Sequence, residues 1–308
     1  MRVKSSRIPY ADRTGLAAWP NGARIAVLVY TAPEQWDWTQ KEGISAAGTF
    51  AAGRGTAPSI STQSTVDYGF TVGLHRLREI YADFDMKVTL WTSGQAVEQF
   101  PDVLRALAAD GHDLNPHGYS QGRVIGQMSR EEQRETMLTA RDAVESILGR
   151  RPGGWVSPAA EANDDTLDLL AETGYDFHGD LQDDELPYFV HGGDRTVVEI
   201  PYRLAGNLND LPLFTRNVRG VSEGVRLLTD AFDAYYQAAS RTPLLYNYGT
   251  HPYISGRPDN AAVMRGLLEH IHRYDDVWVT NYSEVAAWWR KEFESKISPE
   301  QGIIDVRH

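Results

Sequence analysis

Apolar positions along the chain fall into two rhythms that take turns. Short β-branched runs at residues 24–30, 87–92, 196–200, 243–248 and 277–280 predict buried strands. Helical spacing fills the intervals between them. Residues 70–84 place Leu74, Leu77 and Tyr81 on one face, and residues 101–110 open on Pro101 and stop before Gly111. The clearest helix is 129–148, where Ser129 and Glu132 form a capping box and Gly149 ends the run. Residues 164–172, with Gly174 behind them, repeat the pattern. Further helices are expected at 223–239, at 260–273 and from Ser283 through Trp288 and Trp289.

Strands alternating with helices imply parallel βαβ units, and this many units suit an α/β fold closed as a distorted (β/α) barrel. The whole chain, 1–308, is expected to be a single domain with a barrel core over 24–292. Chemistry in such barrels collects where loops leave the strand ends. Glu34 follows the first strand, His117 follows the apolar step at Leu114, and His251 follows the run at 243–248.

Composition narrows the chemistry. Acidic residues outnumber basic ones, 42 to 30, for a formal charge of -12, so phosphate backbones and anionic lipid surfaces are repelled. Neither nucleic acid nor membrane is an expected partner; a small-molecule substrate is, together with assembly as a homo-oligomer. Residues 1–13 hold no apolar signal-peptide core, and the expected location is cytoplasmic. The chain has no cysteine, which excludes disulfides, thiolate nucleophiles and sulfur-ligated metals.

The segment Gly111-His112-Asp113-Leu114-Asn115-Pro116-His117-Gly118-Tyr119-Ser120-Gln121 resembles a motif of the polysaccharide deacetylase superfamily, in its allantoinase-like and cyclic-imide-hydrolase-like branch. Further stretches extend the resemblance in order: Arg24 to Val27 leading into Glu34-Gln35, Gly154-Trp155-Val156-Ser157-Pro158, Asp183 to Tyr188, His251-Pro252-Tyr253-Ile254-Ser255-Gly256-Arg257-Pro258, and Asp276 to Thr280. The resemblance implies the (β/α) barrel of that superfamily and hydrolysis of carbon–nitrogen bonds.

It also implies departures. Metal-dependent members of the family carry an aspartate pair where Glu34 and Gln35 stand, and a second histidine where Gln121 stands. The implied ligand set is then Gln35, His117 and Gln121, one imidazole and two neutral carboxamides, with little affinity for a divalent ion. Val156 occupies the place of an arginine that orients the base in many relatives. No metal and no other cofactor is therefore expected.

The resulting expectation is a metal-free hydrolase that opens a small cyclic amide, imide or ureide. Glu34, His117 and His251 are the catalytic candidates, with Glu34 or His251 as the base. Gln35, Trp36, Trp91, Gln121, Trp155 and Arg257 are the substrate-binding candidates, the tryptophans as aromatic walls and Arg257 as a planar fork for a carbonyl or carboxylate. Two alternatives stand beside it. One is a metal-dependent carbohydrate N-deacetylase that recruits its ion through Glu34, Asp37 or another acid with His117. The other is a non-hydrolytic barrel, either a lyase or isomerase or a binding protein. The acidic run 180–185 is taken as a solvated loop, and His251 as a loop histidine whose removal leaves the fold intact.

Overall fold

An apolar run without alternation is what a strand covered on both faces requires. The computed structural model describes residues 3–38, 60–202 and 208–307, and in it β1 (Ile25–Thr31) is buried along its full length. Its successive side chains face opposite ways. Ile25, Val27 and Val29 pack outward with Leu74, Leu77, Phe232 and Leu267. Ala26, Leu28 and Tyr30 pack inward with Trp91, Phe177 and Tyr282.

From there α1 (Ile60–Tyr68) continues through a π-helical turn into α2 (Leu74–Asp83), followed by β2 (Thr89–Thr92), α3 (Pro101–Ala109), β3 (Asp113–Pro116) and α4 (Arg130–Leu148). Next come β4 (Gly154–Trp155), α5 (Asp164–Thr173), β5 (Phe177–His178) and a hairpin of β6 (Tyr188–Gly192) with β7 (Arg195–Glu199). The last third runs α6 (Val221–Ala238), β8 (Leu244–Thr250), α7 (Pro258–Ile271), β9 (Val277–Thr280) and α8 (Tyr282–Phe293). The predicted capping box is present on α4, where Ser129 and Glu132 bond reciprocally and Gly149 adopts the left-handed C-cap at φ 65°.

One edge of β1 pairs with β8 from Ile25↔Leu244 to Thr31↔Thr250. The other edge pairs with β9 lower down and with β2 higher up, and β2 pairs in turn with β3. The second sheet has five strands: the short strand Ser5–Ser6 at one edge, then β6, β7, β5 and β4, with β4, β5 and β7 parallel and the other pairings antiparallel. Between β3 and β4 the ladder is replaced by single contacts, Val156 N to the Pro116 carbonyl at 3.3 Å and Gly154 N to Asn115 Oδ1 at 2.8 Å. These contacts link the parallel first sheet to the mixed second sheet in the α/β arrangement expected of a distorted (β/α) barrel. The expectation missed the two-residue strands β4 and β5, which are too short to show a period.

Two glycines let α2 approach the loop after β8. A Cβ on Gly73 would lie 2.2 Å from the Pro252 carbonyl, and one on Gly256 would lie 2.4 Å from the Gly73 Cα. Any larger residue would push that loop, and with it His251, out of place. Among the described residues no helix is long and apolar enough to cross a membrane.

Candidate active site

The three catalytic candidates leave three different strands and meet. The strand ends are stitched by backbone bonds: Ala32 N to the Thr250 carbonyl at 2.8 Å, Ser93 N to the Pro33 carbonyl at 3.3 Å, and His117 N to the Thr92 carbonyl at 2.9 Å. Glu34, His117 and His251 are all at least nine-tenths buried. Glu34 sits between the two imidazoles, Oε1 3.2 Å from His117 Nε2 and Oε2 3.6 Å from His251 Nε2. The first separation is a hydrogen bond; the second is an ion contact too long to be one. Tyr253 completes the group, its hydroxyl donating to Glu34 Oε2 at 3.3 Å.

The far nitrogens fix where the protons lie. His117 Nδ1 is 2.8 Å from the Val156 carbonyl, which only accepts, so Nδ1 carries a hydrogen and the Nε2–Glu34 contact shares another. His251 Nδ1 is 2.6 Å from Asp210 Oδ1 and must also carry one. Asp210 is fully buried, and its other oxygen accepts from the His251 N–H and the Ser255 hydroxyl, each at 2.7 Å.

These contacts set the ionisation. Burial alone lowers an imidazole, but the carboxylates of Asp210 and Glu34 and the hydrogen bond to Asp210 outweigh it and push His251 up to about 9. Burial alone raises a carboxyl; His251, the hydrogen bond and charge of His117, and Tyr253 reverse that and hold Glu34 below its ordinary value. Near neutral pH the pair is therefore a carboxylate and an imidazolium, a base beside an acid.

The positions at which metal-dependent relatives hold an ion do not fit one here. The Gln35 carbonyl oxygen accepts from Trp36 N at 3.1 Å and Trp38 Nε1 at 2.9 Å, while its amide donates to Asp67 at 3.1 Å. Gln121 donates to the His117 carbonyl at 2.6 Å, and His117 Nε2 is turned to Glu34. No group of three or more His, Asp or Glu side chains among the described residues could hold a metal ion.

Known proteins match this architecture. The polysaccharide deacetylase family model matches residues 54–178. Over this stretch the chain is similar to polysaccharide deacetylases. It has the fold of that superfamily and is a hydrolase of carbon–nitrogen bonds. A peptidoglycan deacetylase of Helicobacter pylori is 25% identical over 248 residues, 70% of this chain and 83% of that protein. The crystal structure of PuuE allantoinase superposes with a TM-score of 0.84 at 26% identity, covering 95% of this chain and 99% of that one. A Pseudomonas aeruginosa PAO1 protein described as a probable polysaccharide deacetylase superposes with a TM-score of 0.81 at 26% identity, over 90% and 94% of the two chains.

Not every candidate residue of the deacetylase-type domain lies at this centre. Trp36 does lie close, 6.3 Å between ring centroids from Tyr253, and Gln35 and Gln121 flank Glu34 and His117 through their backbone and amide bonds. Trp91 instead fills the barrel interior, edge-on to Tyr282 at 4.9 Å. Trp155 is wholly buried in the outer cluster with Met137, Leu170 and Tyr175, so it forms no substrate wall. Arg257 stacks 3.7 Å over the Tyr68 ring and reaches the Tyr253 carbonyl with Nε at 3.4 Å, tying α1 to the loop after β8. The acidic run is not simply a solvated loop, because Asp180 is 4% exposed and bonded to Ser157.

Three groups at or behind this centre were not singled out in the sequence reading. Tyr253 lies within the quoted motif and could have been singled out by its place two residues after His251. Asp210 has no local signal: it reaches His251 from 41 positions away, through a segment laid against β8 by the Asn209↔Gly249 bridge. Asp180 was concealed by its acidic neighbours.

Proposed function

We propose that this chain is a metal-independent hydrolase that opens a small cyclic amide, imide or ureide. One observation carries the proposal: a carboxylate held low and an imidazolium held high face each other, 3.6 Å apart. The likeness to PuuE allantoinase over nearly the whole of both chains supports the substrate class.

Without a metal, water must lose its proton as it attacks. Glu34 takes that proton, and the oxygen adds to the ring carbonyl. The carbon–nitrogen bond then breaks, and His251 Nε2 gives its proton to the departing nitrogen, which leaves poorly as an anion. Asp210 keeps His251 in the charged, correctly turned form. His117 holds Glu34 in place through its Nε2 contact. Cytoplasmic location and assembly as a homo-oligomer are further parts of the proposal.

A panel of allantoin, hydantoin, succinimide and N-acetylglucosamine oligomers tests it. Turnover of a ring amide by protein free of zinc, unchanged by a chelator, is the expected result. Hydrolysis restricted to the acetylated sugars, with about one zinc per chain, would mean a metal-dependent deacetylase like the peptidoglycan enzyme. No turnover of any member would favour a non-hydrolytic barrel.

The pH profile is a second expectation. His251 is the proton donor only below about 9, so turnover should fall above that value. Asp210→Asn removes the strongest upward influence on His251 and should move this alkaline limb towards lower pH, with the acid limb, set by Glu34, little changed. An alkaline limb unmoved in Asp210→Asn would exclude His251 as its origin.

A further inference from the structure

The geometry points to Asp180 as a positioning residue for His117, acting through a single peptide group. The Val156–Ser157 peptide has its two polar ends in use on opposite sides. Its carbonyl accepts from His117 Nδ1 at 2.8 Å, and its N–H donates to Asp180 Oδ1 at 2.7 Å. The bond is trans, as is every described peptide, so the carbonyl and the N–H point in opposite directions within one rigid plane. Holding the N–H therefore aims the carbonyl.

Asp180 holds it with both oxygens. Oδ2 accepts from the Ser157 hydroxyl at 2.8 Å, and that hydroxyl also accepts from Trp155 Nε1 at 3.0 Å. All the groups are out of water: Trp155 and Ser157 are fully buried, Val156 and Asp180 4% exposed. Beneath Asp180 lies a second buried pair, His178 Nδ1 2.9 Å from Glu199 Oε2, each paired by charge rather than by a well-directed hydrogen bond. Burial raises Asp180, against the opposing pull of His178, of both Ser157 donors and of His117.

A chain of contacts follows: Asp180 carboxylate, Ser157 N–H, Val156 carbonyl, His117 Nδ1–H, His117 Nε2, Glu34. A carboxylate on the amide end polarises the peptide and makes its carbonyl a stronger acceptor, since linked hydrogen bonds in low dielectric reinforce one another. Asp180 thereby holds the hydrogen on His117 Nδ1 and turns Nε2, with the hydrogen it shares with Glu34, towards that carboxylate. In a metal-dependent relative, coordination would orient this histidine. Here Val156 contributes through its backbone, where many relatives supply an arginine side chain.

The inference rests on the Glu34–His117 contact as part of the reacting centre and is independent of which ring is opened. Its test reads His117 directly, by ¹⁵N nuclear magnetic resonance of histidine-labelled full-length protein. In the unaltered protein Nδ1 should carry a hydrogen and should show a scalar coupling across the hydrogen bond to the Val156 carbonyl carbon. Asp180→Asn should shift His117 towards the Nε2–H tautomer and lose that coupling. Ser157→Ala keeps the peptide N–H and should leave His117 as it is. An unprotonated Nδ1 in the unaltered protein overturns the inference whether or not Asp180→Asn folds. So does a folded Asp180→Asn protein with unchanged His117 shifts. A failure of the substrate panel would leave both readouts intact.

Discussion

Replacing His251 by Asn is expected to lower turnover of the ring substrate by about 10²- to 10⁴-fold at pH 7, the usual loss when a general acid is removed. The loss should lie in kcat more than in KM, because the proton moves only as the carbon–nitrogen bond breaks. Asn is the informative replacement, since its side-chain amide can donate to Asp210 as Nδ1 does. His251→Ala, which the sequence alone made look harmless to the fold, is different. Asp210 is fully buried, and its 2.6 Å partner would be gone, leaving only the backbone N–H and the Ser255 hydroxyl. Removing one member of such a buried pair costs about 3–5 kcal/mol. His251→Ala should therefore melt well below the unaltered protein, while His251→Asn stays close to it. Retention of near-full activity by folded His251→Asn would move the acid to another residue, with His117 the first to examine.

Glu34→Gln should be as damaging, again by about 10²- to 10⁴-fold, because an amide cannot take the proton from water. It carries a second signature. Glu34 is one of the carboxylates that hold His251 near 9, so the amide should let His251 titrate at lower pH. The residual activity of Glu34→Gln should consequently fade at lower pH than that of the parent. Loss of activity without movement of the alkaline limb would mean that Glu34 and His251 are not electrostatically coupled, and the acid–base pair would fail as a unit.

The elements legible in the sequence were those with a strong period or a local signal. The helix at Arg130–Leu148 was readable because Ser129, Glu132 and Gly149 satisfy its end groups from within a few residues. The strand at Leu244–Thr250 was readable because a strand buried on both faces is largely apolar, and Leu244, Leu245, Tyr246 and Tyr248 make such a run with only Asn247 between them. The end of that strand then marked His251, and the first strand marked Glu34. The elements at Gly154–Trp155 and Phe177–His178 are two residues each, too short for any period, although they carry the segments that orient His117.

By itself the sequence determined the alternation of strands and helices, the loss of charge at Gln35 and Gln121, and the three side chains that meet at the centre. Each of these is written in neighbouring residues. Only the tertiary structure decided the roles. It decided that Glu34 lies between two imidazoles, that Asp210 rather than a nearer acid holds His251, that Asp180 grips the peptide behind His117, and that Trp91 and Trp155 belong to the core. Ionisation and orientation depend on which charges approach across the fold and how far water is excluded. Neither distance nor burial is encoded by spacing along the chain.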